Sequence, residues 1–145
     1  MTFNIEYMKN AIKIAKTSGG DIPIGAVIVK DGKIIAKAVN QREKRQNAVN
    51  HAEIIAIQKA NKKLKNWRLN DCEMYVTLEP CPMCASAILQ ARISKLYFGA
   101  YDMLNGALGS KSDMRKIMNY DMEVKGGIME DECANLLHNY FERLR

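Results

Sequence analysis

The chain has 145 residues, enough for one domain with a buried core. An apolar fraction of 48% and a charged fraction of 26% exclude a disordered tract, and no segment is long and apolar enough to span a membrane. A formal net charge of +6 fits a polyanionic partner such as RNA, although charge alone does not select one.

Between Met1 and Lys16, Ile5, Met8, Ile12 and Ala15 recur at helical spacing with charges between them, which predicts an amphipathic helix. This stretch lacks the unbroken apolar core of a secretory signal, so a cytoplasmic location is expected. Ser18-Gly19-Gly20 breaks the pattern, and Asp21-Ile22-Pro23 leads into an apolar strand from Ile24 to Lys30. Asp31-Gly32 is a hairpin turn, with the returning strand from Lys33 to Val39. Asn40 to Asn50 is polar and reads as a loop, with Asn50 as N-cap of a helix from about His51 to Lys63. Glu73 to Leu78 is a central strand rich in Tyr, Val and Thr, followed by a helix through Ala91 and a short strand from Lys95 to Gly99. Gly106, Gly109 and Ser110 punctuate a loop before a short helix near Asp113 to Met118. Met122 to Lys125 is the fifth strand. Glu130 to Leu144 is the last helix, with Cys133, Leu136, Leu137, Tyr140 and Phe141 on its apolar side. This order predicts an α/β fold, a three-layer α/β/α sandwich around a five-stranded mixed sheet, as one domain over residues 1–145.

Two short motifs carry chemistry. His51-Ala52-Glu53 and Pro80-Cys81-Pro82-Met83-Cys84 together supply one imidazole, two thiols and a carboxylate. One His and two Cys suit zinc and leave its fourth tetrahedral position open to water, as catalytic sites require. Both motifs fall where a loop enters a helix, so side chains of the first turn tilt back towards a metal beyond the helix end. The partial positive charge of the two helix N-termini favours thiolates there. A lone C-x-x-C is more often structural; H-x-E upstream of it, in this order, favours catalysis.

The other candidates carry plainer readings. Cys72 and Cys133 behave as small buried hydrophobes, His138 as a surface or half-buried histidine, and Trp67 and Tyr75 as core aromatics. Glu79 is assigned a structural hydrogen-bonding role beside the metal loop. Asp131 and Glu132 suit the first turn of the last helix. The run Lys59, Lys62, Lys63, Lys65 and Arg68 reads as a solvated helix end.

The motif resembles the cytidine-deaminase-like superfamily, whose zinc enzymes share H-x-E…P-C-x-x-C. Within it the chain is similar to the bacterial tRNA-specific adenosine deaminases, from about Met8 to Phe141. The segments that carry this likeness include Asp21-Ile22-Pro23-Ile24-Gly25-Ala26-Val27, Tyr75-Val76-Thr77-Leu78-Glu79-Pro80-Cys81, Phe98-Gly99-Ala100, Gly106-Ala107-Leu108-Gly109-Ser110 and Asp131-Glu132-Cys133-Ala134. The resemblance implies one zinc per subunit on His51, Cys81 and Cys84, with Glu53 transferring protons. It implies deamination of adenosine to inosine at the wobble position 34 of an arginine tRNA by a homodimer. It further places Asn40 on the target nucleotide, Ile24 in the apolar pocket wall, Asp102 beside a ribose 2′-OH and Phe141 near the anticodon loop. Tyr101, Met103 and Leu104 depart from the smaller or basic residues common in that family. Cys81-Pro82-Met83-Cys84 also occurs in guanine deaminases. A small-molecule deaminase of the guanine or cytosine type therefore stands as the alternative, and a non-catalytic zinc module as a third reading, which Glu53 disfavours.

Overall fold

The computed structural model describes residues 2–145, so Met1 of the expected first helix lies outside the described residues. The chain runs α1 (Ile5–Ala15), β1 (Gly25–Lys30), β2 (Lys33–Val39), α2 (Arg42–Arg45), α3 (Ala52–Leu64) and β3 (Cys72–Leu78). It continues with α4 (Pro82–Gln90), β4 (Lys95–Ala100), α5 (Met114–Met118), β5 (Glu123–Lys125) and α6 (Glu130–Arg143). The strands form one five-stranded sheet in the order β2-β1-β3-β4-β5. β1 pairs antiparallel with β2 and β3, whereas β4 pairs parallel with β3 and β5, so the sheet is mixed as expected.

Period-two alternation sorts the core into two layers. Ala26 and Ile28 of β1, Met74 and Val76 of β3, and Leu96 and Phe98 of β4 pack against Ala56 and Ile57 of α3 and Ile88 and Leu89 of α4. On the opposite face Val27, Val29, Tyr75 and Tyr97 pack against Met8, Ala11 and Ile12 of α1 and Cys133 of α6. Asp31 and Gly32 both adopt positive φ, 51° and 72°, which is the backbone a tight β1–β2 turn demands. No helix among the described residues is long and apolar enough to cross a membrane.

Four expectations change. The loop from Asn40 to Asn50 contains the short helix α2, which has no apolar face. It is held instead by Asp21, whose carboxylate oxygens accept from the backbone N–H groups of Glu43 (2.7 Å) and Lys44 (3.0 Å). His51, not Asn50, is the N-cap of α3, because His51 O accepts the first helical bond, from Ile55 N, whereas Asn50 O accepts from Gln41 N. Trp67 is 51% exposed rather than core, with the guanidinium of Arg68 lying 4.3 Å from its ring centroid. In α6 only Cys133 is fully buried; Leu136, Leu137 and Tyr140 are half-buried and Phe141 is exposed, because the helix rests on the sheet mainly at its start.

Candidate active site and zinc centre

The site gathers at the start of α3 and α4. His51 and Cys81 are the N-cap residues of these helices, in extended conformation, and neither side chain caps its own helix. Each ligand side chain is thereby left free, while its carbonyl opens the helix, accepting from Ile55 N (3.1 Å) and Ala85 N (2.8 Å). Pro82 occupies the first turn of α4, where a missing N–H is harmless, and Cys84 follows in that turn, fully buried.

His51 Nδ1 lies 3.4 Å from Cys84 Sγ and 3.7 Å from Cys81 Sγ. Ligand atoms of all three residues lie within 4.8 Å of one another. Tetrahedral zinc with ordinary Zn–N and Zn–S bonds separates nitrogen from sulfur by about 3.6 Å. The donor set and its spacing therefore fit zinc.

Electrostatics follow from this proximity. Hydrogen bonding from Cys84 holds the Cys81 thiol down to about 4, and that same bond together with burial pushes the Cys84 thiol up. His51 is raised by its hydrogen bond with Cys81. Glu53 is buried and sits up to about 7, chiefly because burial disfavours its charged form and secondarily because Cys81 carries negative charge nearby. A dication beside these groups reverses both tendencies and favours two thiolates and a carboxylate.

These groups open into a cavity of about 280 Å³. Among residues singled out in the sequence, Ile24, His51, Glu53, Glu79, Cys81 and Asp102 line it. Asn40 is buried and is not itself in the lining, and its backbone N–H donates at 3.0 Å to O of the lining residue Ile24. Its side-chain Oδ1 is the buried side-chain oxygen that meets no hydrogen-bond partner among the described residues. Phe141 stays outside the lining, edge-on to Tyr140 at 5.2 Å. Tyr140 in turn donates to Gly20 O (2.9 Å), tying α6 to the segment that carries Ile22 and Ile24.

Asp102 has a second engagement that sequence reasoning missed. Its Oδ1 accepts from the backbone N–H groups of Leu104 and Asn105, each at 3.1 Å, leaving Oδ2 for a ligand. Glu79 organises the whole loop, accepting at Oε1 from Asp102 N and Ser110 Oγ, and at Oε2 from Leu108 N and Ser110 N. Gly106 lies against that carboxylate, where an added Cβ would overlap Glu79 and the Asp102 carbonyl.

Ile22, Leu78, Pro82 and Asn105 also line the cavity and were not identified as site residues from sequence. Ile22 carried a usable signal, since it flanks Pro23 opposite Ile24 and the Ile24 N–H folds back to Ile22 O. A larger groove of about 540 Å³ between α1 and α6 has neither thiol nor imidazole in its lining. The chemistry belongs to the smaller cavity.

Residues 1–100 match the family described as the cytidine and deoxycytidylate deaminase zinc-binding region. The chain is 45% identical to the tRNA-specific adenosine deaminase of Bacillus subtilis (strain 168), an alignment covering 100% of this chain and 92% of that one. It belongs to the tRNA-specific adenosine deaminase family. A solved structure from a study of A-to-I editing by tRNA:A34 deaminases superposes with a TM-score of 0.86 and 38% identity, covering 92% of this chain and 100% of that chain. The guanine deaminase of Bacillus subtilis is 40% identical with a TM-score of 0.65, covering 69% of this chain and 66% of that one. The fold is thus shared in part with a guanine deaminase. The fuller and closer match is to the tRNA enzymes.

Proposed function

We propose that this chain, acting over residues 1–145 as a single CMP/dCMP-type zinc deaminase domain, converts adenosine at the wobble position 34 of an arginine tRNA to inosine. The observation that carries the reading is the buried Glu53 carboxylate beside the His51–Cys81–Cys84 cluster, at the base of a cavity of about 280 Å³. The reaction consumes one water and releases ammonia. His51, Cys81 and Cys84 would hold a zinc ion, which would supply a Lewis acid that makes water acidic near neutral pH.

The remaining work belongs to the protein. Glu53 takes a proton from water and delivers it to N1 of the purine as the water oxygen bonds to C6. It then takes the second proton from that oxygen and gives it to the exocyclic amine, so that the C6–N6 bond breaks, ammonia leaves and the C6 carbonyl of inosine remains. Ile24 closes the wall against the base. Asn40 offers its unpartnered amide oxygen to the target nucleotide. Asp102 Oδ2 accepts from a ribose 2′-OH, a donor that DNA lacks. Phe141 presents an exposed aromatic to the anticodon loop. The chain works as a cytoplasmic homodimer, with one zinc per subunit.

The test is inosine formation in an arginine-tRNA anticodon stem-loop, read as guanosine on sequencing, beside ammonia release from free guanine, cytosine, cytidine and adenosine. Conversion of the stem-loop is the expected result. Activity on a free base with none on the stem-loop would overturn the assignment in favour of a small-molecule deaminase.

A further inference from the structure

We infer that Met103 and Leu104 form an apolar wedge that takes the stacking place vacated when the target base leaves its neighbour, an inference that rests on the tRNA-editing reading above. Leu104 and Met103 are 79% and 70% exposed, more than any other large apolar residue among those described. An apolar pair displayed beside a polar cavity marks a contact surface. The residues on either side of it in sequence, Asp102 and Asn105, both line the cavity, so the pair projects at its mouth.

The backbone that carries the pair is also held in place. Asp102 Oδ1 holds the backbone of Leu104 and Asn105, Glu79 Oε1 holds the Asp102 N–H at 3.1 Å, and Tyr101 packs edge-on against Phe98 at 5.0 Å. A backbone already held in place loses little further entropy on binding.

The occupant follows from chain continuity and charge. Nucleotides bonded on either side of one whose base fills the cavity must pass its mouth. From Tyr101 to Gly109 there is no lysine or arginine, so this loop has no cation to pair with phosphate and meets the bases instead. Extracting a base leaves its neighbour unstacked, and inserted Leu or Met side chains offset that loss where proteins separate base steps.

A cycle across protein and RNA tests this. Wild type, the Met103→Ala/Leu104→Ala double variant and the Met103→Leu/Leu104→Met variant are assayed on the stem-loop and on two versions with an abasic nucleotide immediately before or after the target. On the intact stem-loop the alanine variant should raise KM about tenfold, the size of one lost base-stacking contact, with kcat within about twofold of wild type. The conservative variant should restore wild-type KM. On one of the two abasic substrates the difference between wild type and alanine variant should vanish. The KM ratio should be the same at about 50 and about 200 mM salt, because no phosphate contact is involved.

Equal KM values on the intact substrate would overturn the wedge, as would a defect that persists on both abasic substrates or shrinks with salt. A defect accompanied by a shift from dimer to monomer in sedimentation would instead assign the pair to a contact between copies. Absence of inosine with the wild-type protein would count against the tRNA-editing reading itself, which separates the two failures.

Discussion

Two walls of one cavity each bury a carboxylate, and the two carboxylates differ in what surrounds them. On the wall formed by residues 101–110, Glu79 accepts four hydrogen bonds, three from backbone N–H groups and one from the Ser110 hydroxyl. On the α3 wall, Glu53 meets only its own backbone N–H and the Cys84 thiol, and burial leaves it holding a proton up to about 7. A buried acid is therefore not a sign of catalysis in itself. What distinguishes the pair is whether the lone pairs are already taken: Glu79 shapes a loop, and Glu53 is left free to move a proton.

The largest expected effect breaks the comparison on the α3 side. Glu53→Gln keeps the shape and removes the proton carrier, so kcat for inosine formation should fall by about 10²–10⁴-fold. Zinc content by metal analysis should be unchanged, and the urea midpoint should hold or rise, because a poorly solvated carboxylate has been replaced by an amide. Loss of zinc together with activity would make Glu53 a support of the metal site and erase the distinction.

Glu79→Ala should do the reverse. Removing the acceptor strands the N–H groups of Asp102, Leu108 and Ser110, and Leu108 is buried. Stability should drop by about 3 kcal/mol in urea unfolding, while zinc content is kept in the folded fraction. If stability held and only turnover fell, Glu79 would have to be counted with the chemistry.

Asn40→Ala sharpens the contrast with the smallest effect. Its Oδ1 has no partner among the described residues, so its removal strands nothing and stability should move by less than about 1 kcal/mol. KM for the stem-loop should rise about tenfold, the worth of one hydrogen bond to the nucleotide. A stability loss with unchanged KM would show that Asn40 serves the fold.

Much of this was legible in the sequence where a local pattern has one physical solution. Asp31-Gly32 between apolar runs gave the hairpin with β2 bounded as expected, at Lys33–Val39. His51, Cys81 and Cys84 were readable as a metal set because few other tasks require that donor chemistry in that order. Elements without a local pattern were not readable. Helix α2 exists because Asp21, twenty-odd residues upstream, caps its first N–H groups. Trp67 carries an apolar residue's signature, yet stacks on Arg68 at the surface. Leu78 and Asn105 read as a strand end and a loop polar residue, and only the return of their segments to the same cavity makes them part of the site.

The sequence by itself determined the chemistry and the order of the layers. Ligand identity, the helix starts at both motifs and the apolar alternation of β1, β3 and β4 are local properties, each set within a few residues. Tertiary structure decided how polar groups share partners across the fold. Glu53 and Glu79 are alike as residues, and both are buried; their difference arises because Glu79 meets N–H groups supplied 23 to 31 positions later and Glu53 does not. Hydrogen-bond satisfaction depends on distances between segments that no local pattern encodes, so the donors that occupy Glu79, and with them the physical basis of the roles expected for the two acids, appear only in the folded chain.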